Sequence, residues 1–189
     1  MNEFTDTIIL HQELAYADSL PVAMTVAAGL VDVATLAGWT ERNLRLLQAC
    51  AALEETTQLD VADEASPYAA ELQRIDLKVN LLLELVGLLV AASQSRPAPA
   101  ALRFNVQGML WRHNGPLPPV DTPVRIEIYL RENMVQPLTL MGHMREESAG
   151  GMASVRFDDL PEPVADHIKK LVFRRHRRQV AVARATRRS

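Results

Sequence analysis

Residues 101–112 read ALRFNVQGMLWR, and how this run folds decides the class of the whole chain. Its apolar and aromatic residues give it the character of a strand, and Gly108 interrupts it, marking a bulge or a ligand-contacting bend. Just before it, RPAPA at 96–100 stops any helix, because proline cannot continue one and biases its predecessor toward extended structure. After it the pattern stays β. HNGPLPP at 113–119 reads as a turn. In the next run, PVRIEIYL, Val124, Ile126, Ile128 and Leu130 point inward, with Arg125, Glu127, Tyr129 and Arg131 outward. MVQPLTLMGHMREE continues the sheet with Pro137 at an edge or bulge, and MASVRFDDL alternates again. Short strands in succession, joined by turns, imply a small antiparallel barrel.

Upstream, a strand centred on VAMTV follows a turn at Asp18, Ser19 and Pro21. From Val31 the pattern becomes helical, with Val33, Ala37, Leu44, Leu47 and Ala51 on one stripe. TTQLDVADEASP is a polar connection, and Ser66 and Pro67 open a second helix as N-cap and first helical residue. In that helix, over 67–94, Leu72, Ile75, Val79, Leu82, Val86 and Leu89 alternate steps of three and four as a and d positions of nearly three heptads. The flanking positions change from Asp76 and Lys78 to Leu83, Leu85, Val90 and Ala92. A seam widened in this way needs several neighbours, from the first helix and from other copies of the chain. Leu77, Leu81 and Leu88 lie off the seam and point to burial on more than one side. The favoured assembly is a homotetramer. A final helix carries Val164, Ile168, Leu171 and Val172 on one stripe.

The expected fold is thus α+β: a small antiparallel β-barrel, a long two-helix, coiled-coil-like insertion after the first strand, and a C-terminal helix. As one domain, its barrel takes 14–28 and 100–163, its insertion 31–95, and its terminal helix with a basic tail 164–189.

Bulk properties exclude several classes. A chain of 189 residues with 48% hydrophobic residues is not disordered. The start, MNEFTDTIILHQELAY, lacks the basic and apolar regions of a signal peptide. VNLLLELVGLLVAA is too short for a bilayer span and carries Glu84, so no membrane span is expected. The single cysteine, Cys50, fits a reducing cytoplasm and reads as a small buried residue. Charge is uneven: residues 1–41 hold no Lys or Arg, whereas the last 21 hold nine and no acid.

This order of elements, with RFNVQGMLW as the first strand after the helices and DHIKKLVFRRHRRQ as the closing helix, resembles the PilZ family, in particular its atypical, helix-inserted group. The resemblance implies a bacterial receptor fold for cyclic di-GMP, with an RxxxR segment before the first strand and a (D/N)xSxxG motif in the following strand region. RFNVQG has the spacing of the second motif, but Arg103 stands at its acid or amide position and Asn105 at its serine; Gly108 alone agrees. The RxxxR is absent, since the first arginine is Arg42, and Glu13, Tyr16 and Asp18 precede the strand instead. Acidic groups there would repel two phosphates that the family's arginines grip. Conventional binding of cyclic di-GMP is therefore not expected, and no cofactor is.

The remaining candidate site is the tail. Arg174, Arg175, Arg177 and Arg178 form a basic cluster, in which Arg174 and Arg178 repeat the RxxxR spacing on one helical face. It reads as a solvated helix end whose cations complement the helix dipole, or alternatively as an anion clamp serving a non-standard cyclic di-GMP site. Nucleic-acid binding gains little support, with Phe173 the only nearby aromatic and an acidic overall charge. The five histidines show no metal or catalytic spacing, and no nucleophile motif or phosphate loop occurs. The sequence therefore reads as a non-enzymatic signalling or assembly module that self-associates and contacts an unidentified protein partner.

Overall fold

The computed structural model describes residues 9–10, 13–29, 31–56, 69–93, 96–131, 134–148 and 151–186. Two short strands, β1 (Ile9–Leu10) and β2 (Glu13–Leu14), pair as a small hairpin ahead of the barrel. The barrel is closed in the order β3-β4-β5-β8-β7-β6, all antiparallel. Its strands are β3 (Tyr16–Val26), β4 (Pro99–Phe104), β5 (Gly108–Arg112), β6 (Pro123–Ile128), β7 (Leu138–Ser148) and β8 (Met152–Phe157). Helices α1 (Val33–Thr56) and α2 (Ala69–Ser93) stand between β3 and β4, and α3 (Glu162–Thr186) closes the chain.

The alternating positions fill the barrel as expected: Val124, Ile126, Ile128 and Leu130 are all buried, together with Leu102, Phe104, Met109 and Trp111. On α3 the whole stripe of Val164, Ile168, Leu171 and Val172 is buried. Gly142 shows why one strand position admits no side chain. A Cβ there would lie 2.3 Å from the carbonyl oxygen of Arg156 on the neighbouring strand β8.

Several local expectations are corrected. Run 101–112 is two strands, β4 and β5, joined by a tight turn at Asn105–Gln107, so Gly108 opens a strand and bends none. No turn occurs at Asp18–Ser19, because β3 runs straight through them. Its first half pairs with β4 and its second with β6, and Pro21 faces Pro99 where it changes partner. Two residues without N–H groups meet there, at the place where ladder bonding is interrupted.

The first helix packs with its other end. Val33 is 82% exposed and Ala37 is exposed, while Asn43, Leu46, Leu47, Cys50 and Glu54 are buried. Asn43 explains the difference: its Nδ2 donates to the Thr139 carbonyl at 2.7 Å and its Oδ1 accepts from the Thr139 N–H at 2.9 Å. It thus satisfies β7 ahead of Gly142, where pairing with β8 begins. The thiol of Cys50 is pushed up in pKa by burial, as suits an inert core residue.

Packing of α2 on α1 is also not observed. α1 packs against α3 and β7, whereas among the described residues α2 has no substantial contact with any other element. Ser66 and Pro67 lie outside the described residues. Where the chain returns from α2, Arg96 donates to the Met134 carbonyl at 2.7 Å and lies 5.1 Å from the Tyr129 ring centre, which fixes the root of the helix on the barrel.

Candidate functional site

Two surfaces stand out once the fold is in place: a polar cleft beside α3, and the uncovered helix α2. The cleft has a volume of about 480 Å³ and lies where the start of β3, the end of α1, the segment after β6 and the second half of α3 meet. Its floor is the Arg175 side chain, 9% exposed. Arg175 Nε donates to Glu54 Oε1 at 3.1 Å, its terminal nitrogen donates to the Leu130 carbonyl at 3.3 Å, and its guanidinium sits 4.8 Å from the Tyr16 ring centre. Burial opposes its charge, but Tyr16 and Glu54 outweigh that and hold its pKa above the usual arginine value.

Tyr16 packs edge-on against Phe104 and its hydroxyl donates to Asp18. Burial, then Asp18, pushes its phenol up to about 12 against the opposing pull of Arg175. Glu54, 3% exposed, uses only one carboxylate oxygen; Oε2 is buried with no hydrogen-bond partner among the described residues. Arg131 and Arg178 complete the lining. The cleft therefore holds three guanidiniums, two carboxylates and one orphaned acceptor. It can accommodate an anionic group near Arg131 and Arg178.

The tail arginines thus separate. Arg175 is buried, in contrast to a solvated helix end, because Glu54 and Leu130 receive its donors. Arg178 lines the same cleft, Arg174 reaches toward the Ala51 carbonyl on α1 at 3.5 Å, and Arg177 lies exposed, 5.9 Å from the Phe173 ring centre.

The RFNVQG residues do not join them. Arg103 is exposed on β4. Asn105 is 2% exposed: Oδ1 accepts from the N–H groups of Gln107 (2.9 Å) and Gly108 (3.2 Å), and Nδ2 donates to the Leu10 carbonyl (2.6 Å). Asn105 makes the β4–β5 turn and ties β1 to the barrel, so this motif's middle residue serves structure. Sequence reasoning missed Tyr16, Glu54 and Arg131 as cleft residues. Only the position of Tyr16 at the start of the first barrel strand signalled it.

On α2 the seam is uncovered. Leu72, Ile75, Val79, Leu82, Val86 and Leu89 are between 46% and 72% exposed, and so are the off-seam Leu77 and Leu81 and the flanking Leu85, whereas the side chains of Leu83, Leu88, Val90 and Ala92 lie outside the described ones. Among the described residues no group of His, Cys, Asp and Glu could hold a metal ion, and no helix is long and apolar enough to cross a membrane.

Comparison with known proteins adds a family and a structural neighbour. The family model for the atypical PilZ domain, a cyclic di-GMP receptor, matches residues 47–185. The fold is similar to the crystal structure of a pathogenic protein from Xanthomonas campestris, described as a tetrameric PilZ domain self-assembled via an unusual helical bundle. The two share 25% identity with a TM-score of 0.71, over 94% of this chain and 93% of that one. No curated protein matches the chain.

Proposed function

The chain belongs to the atypical PilZ domain family, and from that membership we propose that it is a non-enzymatic signalling or assembly module that forms a homotetramer through α2. The observation that carries this reading is the exposed seam of six a and d residues on a helix that the described residues of its own chain do not cover. Covering each of these half-exposed side chains contributes roughly 1–2 kcal/mol. Six per chain in four chains contribute roughly 24–48 kcal/mol, enough to offset the roughly 12–45 kcal/mol that the three association steps of a tetramer cost in lost freedom. The off-seam leucines favour more than two helices in the bundle, and the helical-bundle tetramer described for the Xanthomonas protein supports the same mode. Replacing Leu82 or Val86 with Glu should reduce the mass measured by light scattering; a variant that keeps the parent's mass contradicts the reading.

A second reading is supported by the cleft. Arg131, Arg175 and Arg178 converge on one hollow beside an orphaned carboxylate oxygen, which suits a non-standard site for cyclic di-GMP with phosphate near the arginines. Against it, Arg175 is already committed to Glu54, and the RxxxR segment is missing. Calorimetric titration with cyclic di-GMP separates the readings: micromolar affinity lost in Arg178→Ala but kept in Arg174→Ala supports a ligand site, and no heat of binding removes it.

A further inference from the structure

We propose that the groove along the first half of α1, with Trp39 as its central wall, docks a basic amphipathic segment of a partner protein. Trp39 is half-buried and stands between two hollows. One, of about 370 Å³, lies toward Val26 and Val31; the other, of about 200 Å³, lies toward Leu160 and Pro161. Both also touch Met141, so they run together along the barrel. The helix rim is apolar and uncovered: Val33 is 82% and Leu36 40% exposed, because α1 spends its packing residues on its other half. The smaller hollow has room for a single apolar side chain.

Charge decides what kind of segment fits. Asp158 and Asp159 line the smaller hollow, and no cation among the described residues does. Among the described residues the Asp158 carboxylate meets only His143, at 3.0 Å. The one cation lining the larger hollow among the described residues, Arg125, lies 3.4 Å from Glu127 and 5.8 Å from the Trp39 ring centre, which partly offsets its charge although its buried Nε has no hydrogen-bond partner there. The acidic end of the groove is the smaller hollow. A segment presenting one or two apolar anchors flanked by Lys or Arg is complementary, and an acidic one is repelled. The seam on α2 plays no part in this argument, so the docking site stands or falls apart from the proposed tetramer.

The test uses the full chain and a short synthetic Leu–Lys amphipathic helix as probe, with a Leu–Glu counterpart. Tryptophan emission reports on the groove, because the other tryptophan, Trp111, is 2% exposed inside the barrel. The Lys peptide should produce a saturable blue shift that is absent in Trp39→Phe, and the Glu peptide none. An Asp158→Asn/Asp159→Asn variant, altered only at exposed positions, should bind about fivefold more weakly, with less salt dependence. Equal binding of the two peptides, or undiminished affinity in the double variant, overturns the proposal. Leu36→Glu should leave the mass by light scattering unchanged; a fall in mass would give the groove to a second copy and equally overturn it.

Discussion

Replacing Arg175 with Met should destabilise the fold by about 3–5 kcal/mol, the range for breaking a buried ion pair by removing one partner. Met keeps most of the stem's packing, so the loss isolates the guanidinium. Gone are the bonds to Glu54 and Leu130 and the stacking on Tyr16. The larger part is what remains: a Glu54 carboxylate, 3% exposed, with both oxygens now unpartnered. Replacing both residues, as Glu54→Leu with Arg175→Met, should recover much of the loss, because a buried pair exchanged for apolar groups is often near neutral. The exposed pair of Arg145 and Asp121, with side chains 44% and 70% accessible, supplies the contrast. There Arg145→Met should cost no more than about 1 kcal/mol. Urea unfolding of the parent, Arg175→Met, Glu54→Leu, the double variant and Arg145→Met measures all of this. A loss for Arg175→Met no larger than for Arg145→Met, or a double variant as unstable as the sum of its parts, would refute the reasoning.

Three other substitutions probe the turn, the barrel backbone and the buried phenol. Asn105→Ala should cost about 1–3 kcal/mol by orphaning buried backbone groups, and should speed amide exchange at Gln107 and Gly108; unchanged exchange there would contradict its role in the turn. Gly142→Ala should cost about 1–3 kcal/mol or more, because its methyl would meet the β7–β8 backbone, and a melting temperature equal to the parent's would contradict that close approach. The raised phenol of Tyr16 favours the protonated form in the folded state. Its contribution is therefore complete below pH about 10 and is lost as pH rises toward about 12. In urea midpoints across that window, Tyr16→Phe should lack this part of the decline; identical declines would contradict the assignment.

Local pattern carried much of the architecture. Strict alternation marked β6, a heptad marked α2, and a four-residue stripe marked the buried face of α3, since each is a property of neighbouring residues. What pattern could not carry was long-range pairing. Asn43 is buried because Thr139, on a strand far along the chain, needs its amide; Arg175 is buried because Glu54 waits on another helix. A basic cluster looks solvated until the acid that meets it is placed. The β4–β5 turn was hidden for a different reason: Asn-Val-Gln lacks an Asn-Gly signature, and its stability comes from the Asn105 side chain and Leu10. The same local view joined α1 to α2 by their shared apolar character, although only tertiary placement reveals that α1 belongs to the barrel.

The central claim is that α2 is uncovered in one chain because other copies cover it. Light scattering on the purified, unaltered chain tests it most directly. The account predicts a mass four times the 21.0 kDa of one chain, and a mass equal to a single chain, held across concentration, would contradict it.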